Sequence, residues 1–194
     1  MIDITDGSII KDKMKNKIVV LVGSMRKHGN TETLVSEFVR GAEENENEVT
    51  VISVADYHIM PCTGCNACRK RVNKDCMIKD DMQTIFPILK EADIIVIASP
   101  VYFYGLSARL KAIIDRLHQP ARSALRVKKL GLLLVAADTL AAVFDPIKLQ
   151  YQLILDYFHL ENVGEVLAYG VEAVGDIKGK PVLQDAYQLG KEVK

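Results

Sequence analysis

The sequence predicts an α/β fold in which helices cover both faces of a parallel sheet. Short continuous apolar runs recur, such as 18–22 and 94–98, and these suit strands buried on both faces. Segments with apolar residues at helical spacing lie between them. The two kinds alternate five times, which implies parallel strands joined by crossover helices.

The alternation begins at Lys17. Strand one covers 18–22 and ends at Gly23. A helix follows with Leu34, Val35, Phe38, Val39 and Ala42 on one face. Strand two covers 49–54. A polar, cysteine-bearing loop runs from Ala55 to about Asp80, followed by a helix over 81–91. Strand three covers 94–98 and ends at Ser99-Pro100. Leu106, Leu110, Ile113, Ile114 and Leu117 mark the next helix. Strand four covers 130–137. Asp145-Pro146 has the form of an N-cap followed by proline in the first turn, and Ile147, Tyr151, Ile154, Leu155 and Phe158 give the stripe behind it. Strand five covers 163–169. The last helix starts at Pro181, with Val182, Ala186, Leu189 and Val193 inward. Residues 1–16 are polar and mixed in charge and read as an N-terminal arm, and 17–194 read as one domain.

Lysine plus arginine equals aspartate plus glutamate at 25 each, so the balance favours neither nucleic acid nor an anionic membrane as partner. No apolar run is long enough to span a bilayer, and the N-terminal residues lack the apolar core of a secretory signal. The expected location is cytoplasmic. The four cysteines sit in one stretch, and in such a compartment they point to metal or redox chemistry more than to disulfides.

In a sheet of this kind ligands sit beyond the carboxyl ends of the strands, where strand order reverses. The loop after strand one reads Gly23-Ser24-Met25-Arg26-Lys27-His28-Gly29-Asn30-Thr31-Glu32-Thr33. It leads into a helix N-terminus, whose unpaired N–H groups and positive dipole end attract phosphate. Ser24, Asn30, Thr31 and Thr33 add donors, Arg26 adds charge, and Gly29 allows close approach. Any one of these residues alone would suit a plain capped turn, but together they suit a phosphate loop. The dinucleotide fingerprint and the Walker A pattern are absent.

The pattern G-S-x-R-x-x-G-N-T before an apolar helix resembles the NADPH-dependent FMN reductase family, relatives of the flavodoxins. The resemblance implies a flavodoxin-like three-layer αβα sandwich with strand order 2-1-3-4-5. It also implies FMN, with Ser24, Arg26, Gly29, Asn30 and Thr31 at its phosphate. A second signature follows strand three, in Ser99-Pro100-Val101-Tyr102-Phe103-Tyr104-Gly105-Leu106-Ser107 and on through Leu110-Lys111 to Ile114-Asp115-Arg116. By resemblance Pro100, Val101, Tyr102, Phe103 and Tyr104 contact the flavin ring; by residue type alone they suit an aromatic cap on the core equally well. Lys111, Asp115 and Arg116 are expected to orient the helix or serve an interface, and Lys111 and Asp115 have the spacing of a helix surface pair. The loop after strand four departs from the pattern. Many relatives carry glycines there, and this chain has Ala137-Asp138-Thr139-Leu140-Ala141-Ala142.

Cys62, Cys65, Cys68 and Cys76 form C-x2-C-x2-C-x7-C within a loop over 61–77. Close cysteine triplets with a fourth further on are common among iron–sulfur ligands, whereas zinc ribbons more often use two separated pairs. Free cysteines or a Cys62–Cys65 disulfide are the alternatives. In this fold the motif resembles the iron–sulfur flavoproteins, which implies a [4Fe–4S] cluster on these four cysteines. Asp80 after the loop is expected to cap a helix. His28 lies in the phosphate loop, and His58, His118 and His159 read as structural or surface residues. No nucleophile–base pair is evident, which fits chemistry carried by a flavin.

The resemblance implies an FMN-dependent oxidoreductase. It would take electrons from a carrier such as ferredoxin, through the cluster, and pass them to a small acceptor. A cluster-free NAD(P)H-dependent FMN or quinone reductase is one alternative, and a flavodoxin-like carrier without turnover is another. Relatives commonly form dimers or tetramers, so a homo-oligomer is expected.

Overall fold

The computed structural model describes residues 15–194 except 73, 74, 119–121 and 123. The N-terminal arm therefore lies outside the described residues, apart from Lys15 and Asn16. Five parallel strands form the sheet: β1 (Lys17–Val22), β2 (Glu48–Ser53), β3 (Ile94–Tyr102), β5 (Lys129–Val135) and β6 (Glu161–Ala168), in the order β2-β1-β3-β5-β6. This is the expected 2-1-3-4-5 path, with one addition. The two-residue strand β4 (Gly105–Leu106) turns back antiparallel on the end of β3. In β1, β3 and β5 nearly every residue is buried, as continuous apolar runs require.

Alternate side chains of each strand feed opposite layers. Val19, Leu21, Ile95 and Ile97 pack under α3 (Met82–Lys90), α4 (Ala108–Leu117) and α5 (Asp145–Phe158). Ile18, Val20, Val22 and Val96 pack under α1 (Asn30–Glu44) and α6 (Val182–Glu192). Tyr151 of α5 fastens its layer to the sheet: its hydroxyl donates to Leu130 O at 2.6 Å.

Helices α1 and α6 cross with backbone against backbone. A Cβ on Gly41 would lie 2.1 Å from Tyr187 O, and one on Gly190 would lie 2.1 Å from Phe38 O. No side chain fits at either position. The apolar periodicity used to find α1 and α6 gives no sign of this crossing.

Some boundaries differ from expectation for local reasons. β3 runs on to Tyr102 because β4 supplies it with a partner. A 3-10 turn over 141–144 leads straight into α5, so Asp145 and Pro146 fall inside the helix and Phe144 takes the cap position. Within the cysteine loop a single-turn helix, α2 (Ala67–Lys70), forms where none was expected.

Candidate functional site

The chain passes from β1 to one side of the sheet and returns to β3 on the other, so strand order reverses between these two strands. The loops at their carboxyl ends meet there. A cavity of about 190 Å³ lies at the meeting point, lined by Ser24, Arg26, Gly29, Asn30 and Thr31 from the first loop and by Pro100, Val101 and Tyr102 from the second. Eight of the ten residues expected to hold the cofactor thus share one cavity.

Gly29 caps α1 with an extended backbone and accepts the first helical bond from Thr33 N at 3.0 Å. The N–H groups of Asn30, Thr31 and Glu32 therefore have no acceptor within the helix. Ser24 Oγ accepts from Arg26 N at 3.1 Å and shapes the turn before the helix. Gly23 allows β1 to end hard against α4, where a Cβ would lie 2.8 Å from Ser107 Oγ.

The carboxamide of Asn30 is engaged at both ends. Its Nδ2 donates to Ala173 O at 2.7 Å, and its Oδ1 accepts from Gly175 N at 2.9 Å. Arg26 donates to Glu172 O at 3.3 Å. Both side chains brace the β6–α6 loop against the first loop. That loop is fixed on its own account by Asp176, which accepts from Glu172 N and Ala173 N. It brings Val171, Glu172 and Val174 to the cavity, which Val135 and Ala137 complete. The sequence reading missed these five. The Val-Glu-Ala-Val-Gly-Asp run carries no phosphate-loop signature, and only the clustered turn residues Gly170, Gly175 and Gly179 hint at a structured loop.

Phe103 and Tyr104 lie outside the cavity lining. They form the two-residue tip of the β3–β4 hairpin with φ of 48° and 63°. Two successive left-handed residues are the geometry of a type I′ turn, which normally takes Asn-Gly. Holding two aromatics there stores backbone strain. Phe103 is 98% exposed and packs edge-to-face on Tyr104.

The cysteine loop is built differently. Cys62 and Cys65 are exposed, Cys68 and Cys76 half-buried, and all four are free thiols. Among the described residues no three His, Cys, Asp or Glu side chains gather as a metal centre requires. As placed, the thiols do not fit a cluster. The Cys65 thiol is held below its ordinary range by the Ala67 N–H and the Thr63 hydroxyl.

The two ends of this loop are clasped at its base. Asp80 accepts from Met60 N at 2.7 Å, and Asp81 accepts from His58 N at 2.7 Å. Arg116 of α4 donates to Asp80 and to Met60 O, and the Arg116 and Asp80 side chains are 2% and 0% exposed. Burial alone would raise the Asp80 carboxyl, but the hydrogen bonds from Arg116 and Met60 bring it below the usual carboxylate range. Asp80 also accepts from Met82 N, so it helps cap α3 as expected. Arg116, expected to orient the helix or serve an interface, is a buried fastener of the cysteine loop. Lys111 and Asp115 pair on the surface of α4 as their spacing suggests.

A wider groove of about 1010 Å³ lies between α4 and α5, with Leu117, Leu125, Ile154 and Leu160 in its walls. It shares no residue with the cavity at α1 and lacks that cavity's convergence of main-chain donors. No helix among the described residues is long and apolar enough to cross a membrane.

The model of the NADPH-dependent FMN reductase family matches residues 16–163. An iron–sulfur flavoprotein of Methanocaldococcus jannaschii is 44% identical over 100 residues, which are 52% of this chain and 51% of that protein. The chain thus aligns with about half the length of that relative. An iron–sulfur flavoprotein of Archaeoglobus fulgidus is 30% identical over 181 residues, covering 91% of this chain and 78% of its own length. Among solved structures, an NAD(P)H:quinone oxidoreductase from Methanothermobacter marburgensis has a TM-score of 0.72 over 93% of this chain and 100% of its own. At 12% identity that likeness is one of fold.

Proposed function

We propose that this chain, which belongs to the NADPH-dependent FMN reductase family, binds FMN at the carboxyl end of β1 and acts as a flavin-dependent oxidoreductase. The observation that carries the reading is the meeting of three loops on one cavity at the topological switch point, with Gly29, Asn30 and Thr31 at the start of α1 in its lining. The FMN phosphate would take the N–H groups of Asn30, Thr31 and Glu32, with Ser24 and Arg26 beside it. Asn30 would act through its main chain, while its carboxamide holds the neighbouring loop in place.

A cavity of about 190 Å³ is too small to enclose a whole flavin mononucleotide, because small-molecule sites run to ~300 Å³ and above. The phosphate end would be enclosed, and the ring would lie outward against Tyr102 and the strained hairpin. Bound FMN supplies the electron chemistry, and the protein positions it. Electrons would come from NAD(P)H or from a carrier such as ferredoxin and leave to a small acceptor. Fluorescence titration tests the reading. Micromolar FMN should be taken up and its emission quenched, and failure to bind, with Asn30→Ala and Arg26→Ala indistinguishable from wild type, would end it.

A second reading adds a [4Fe–4S] cluster on Cys62, Cys65, Cys68 and Cys76. It is favoured by the cysteine spacing and by the naming of two relatives as iron–sulfur flavoproteins. The thiols as placed do not gather, so a cluster would have to order the loop as it assembles. Anaerobic purification with iron and sulfide assay separates the two, since flavin bands alone would remove the cluster. Rapid bleaching by NADPH would favour the cluster-free reductase, and bound FMN with no acceptor turnover would favour a carrier.

The chain would work as a homo-oligomer. Leu149, Leu153 and Tyr157 stand 63%, 59% and 67% exposed along α5 and line the apolar groove between α4 and α5. In a two-fold dimer the same patch of both copies meets, so this exposed apolar face would be covered by its own counterpart. Leu153→Glu should shift the protein to monomer by light scattering.

A further inference from the structure

A second concavity of about 360 Å³ opens between the cysteine loop and α3, and it shares no lining residue with the cavity at α1. Arg71, Lys79 and Arg116 bring positive charge to it, while Met82 and Phe86 give it an apolar floor. The carboxylates nearby are Asp75, which lines it, and Asp80, which is already paired with Arg116. Among the described residues, three cations against these two carboxylates leave one positive charge over.

Arg116 supplies the independent sign of a ligand. Its side chain is 2% exposed, one terminal nitrogen serves Asp80 and Met60 O, and its Nε–H is buried without an acceptor. Buried donors are almost always satisfied, and one left over calls for an acceptor. A guanidinium offers its donors as a planar fork suited to a carboxylate. The apolar floor disfavours a small, strongly hydrated dianion and suits a short hydrocarbon or aryl group.

We infer that this concavity binds a small organic monocarboxylate, seated between Arg116, Lys79 and the Phe86 face. The inference does not rest on flavin binding. The occupant would touch both the base clasp of the cysteine loop and Cys76, which also lines the concavity.

The test uses benzoate as probe and benzamide as its uncharged isostere, with FMN added in excess to cover the α1 end. The readout is the Nε–H resonance of Arg116 in ¹H–¹⁵N spectra, assigned by its loss in Arg116→Lys. Benzoate should shift that resonance saturably, benzamide should not, and Lys79→Gln should weaken the benzoate response several-fold. Lys79 is exposed, and if Arg116→Lys fails to fold, the backbone amide shifts of Cys76 and Met82, which line the concavity, replace the Nε–H readout for wild type and Lys79→Gln alike. A resonance unmoved by tens of millimolar benzoate would overturn the inference. So would equal responses to benzoate and benzamide, or a Lys79→Gln response equal to wild type. Inorganic phosphate matching benzoate would overturn the apolar half of the site.

Discussion

The loop after β1 and the cysteine loop present opposite ways of preparing a binding site. The first is held by the fold itself. Its donors are main-chain groups fixed by a 15-residue helix, and Asn30 and Arg26 tie it to a second loop. The second has its candidate ligands on exposed or half-buried side chains and is clasped at its base by Asp80, Asp81 and Arg116. Main-chain donors at a helix end need only the fold to point them. Thiols spaced along a loop need something to gather them.

The largest expected effect comes from disturbing what holds the first loop. Gly190→Ala or Gly41→Ala forces a Cβ into opposing backbone and should cost on the order of 3 kcal/mol in urea unfolding. In the folded fraction FMN affinity should drop, while the reactivity of Cys62 and Cys65 toward a thiol reagent stays at the wild-type rate. A parallel change in both would mean the two loops are not independent.

Next in size is Asn30→Ala. It removes two hydrogen bonds worth ~1 kcal/mol each, so FMN should bind roughly 30-fold more weakly. An unchanged Kd would show that the two-loop brace is not needed.

Anaerobic loading with iron and sulfide should slow proteolysis within 61–79 by about tenfold if metal orders that loop. Iron uptake without protection would mean that the loop is already in its binding form.

The smallest effect is set by pH. The Asp80 carboxyl lies below its unfolded value, so the stability it contributes is fully present above about pH 4 and is lost as pH falls through the lower folded value. Proteolysis within 61–79 should therefore speed up on acidification below pH 4 before α1 loosens. Simultaneous loosening would remove the clasp as a separate unit.

How much was legible in the sequence follows the same division. The sheet could be read because strands buried on both faces must be continuously apolar, and Val19 to Val22 and Ile94 to Ala98 are. The first loop could be read as part of a cavity because Gly29, Asn30 and Thr31 are adjacent in sequence at the start of a helix. The β6–α6 loop could not, since Ala173 and Gly175 act through their backbone, which any residue type carries. Phe103 and Tyr104 join the expected ring contacts through the family resemblance, and no local preference announces aromatics at left-handed angles. Arg116 was assigned to helix orientation or an interface because nothing in its sequence neighbourhood points across 36 residues to Asp80.

The close crossing of α1 and α6 also bears on how the protein is made. Gly190 and the 173–175 stretch leave the ribosome after residue 163, where the family match ends. A nascent chain stalled before them would carry every residue of the phosphate loop yet lack the wall that steadies it. A nucleotide taken up at this loop would then be acquired only after α6 has docked on α1.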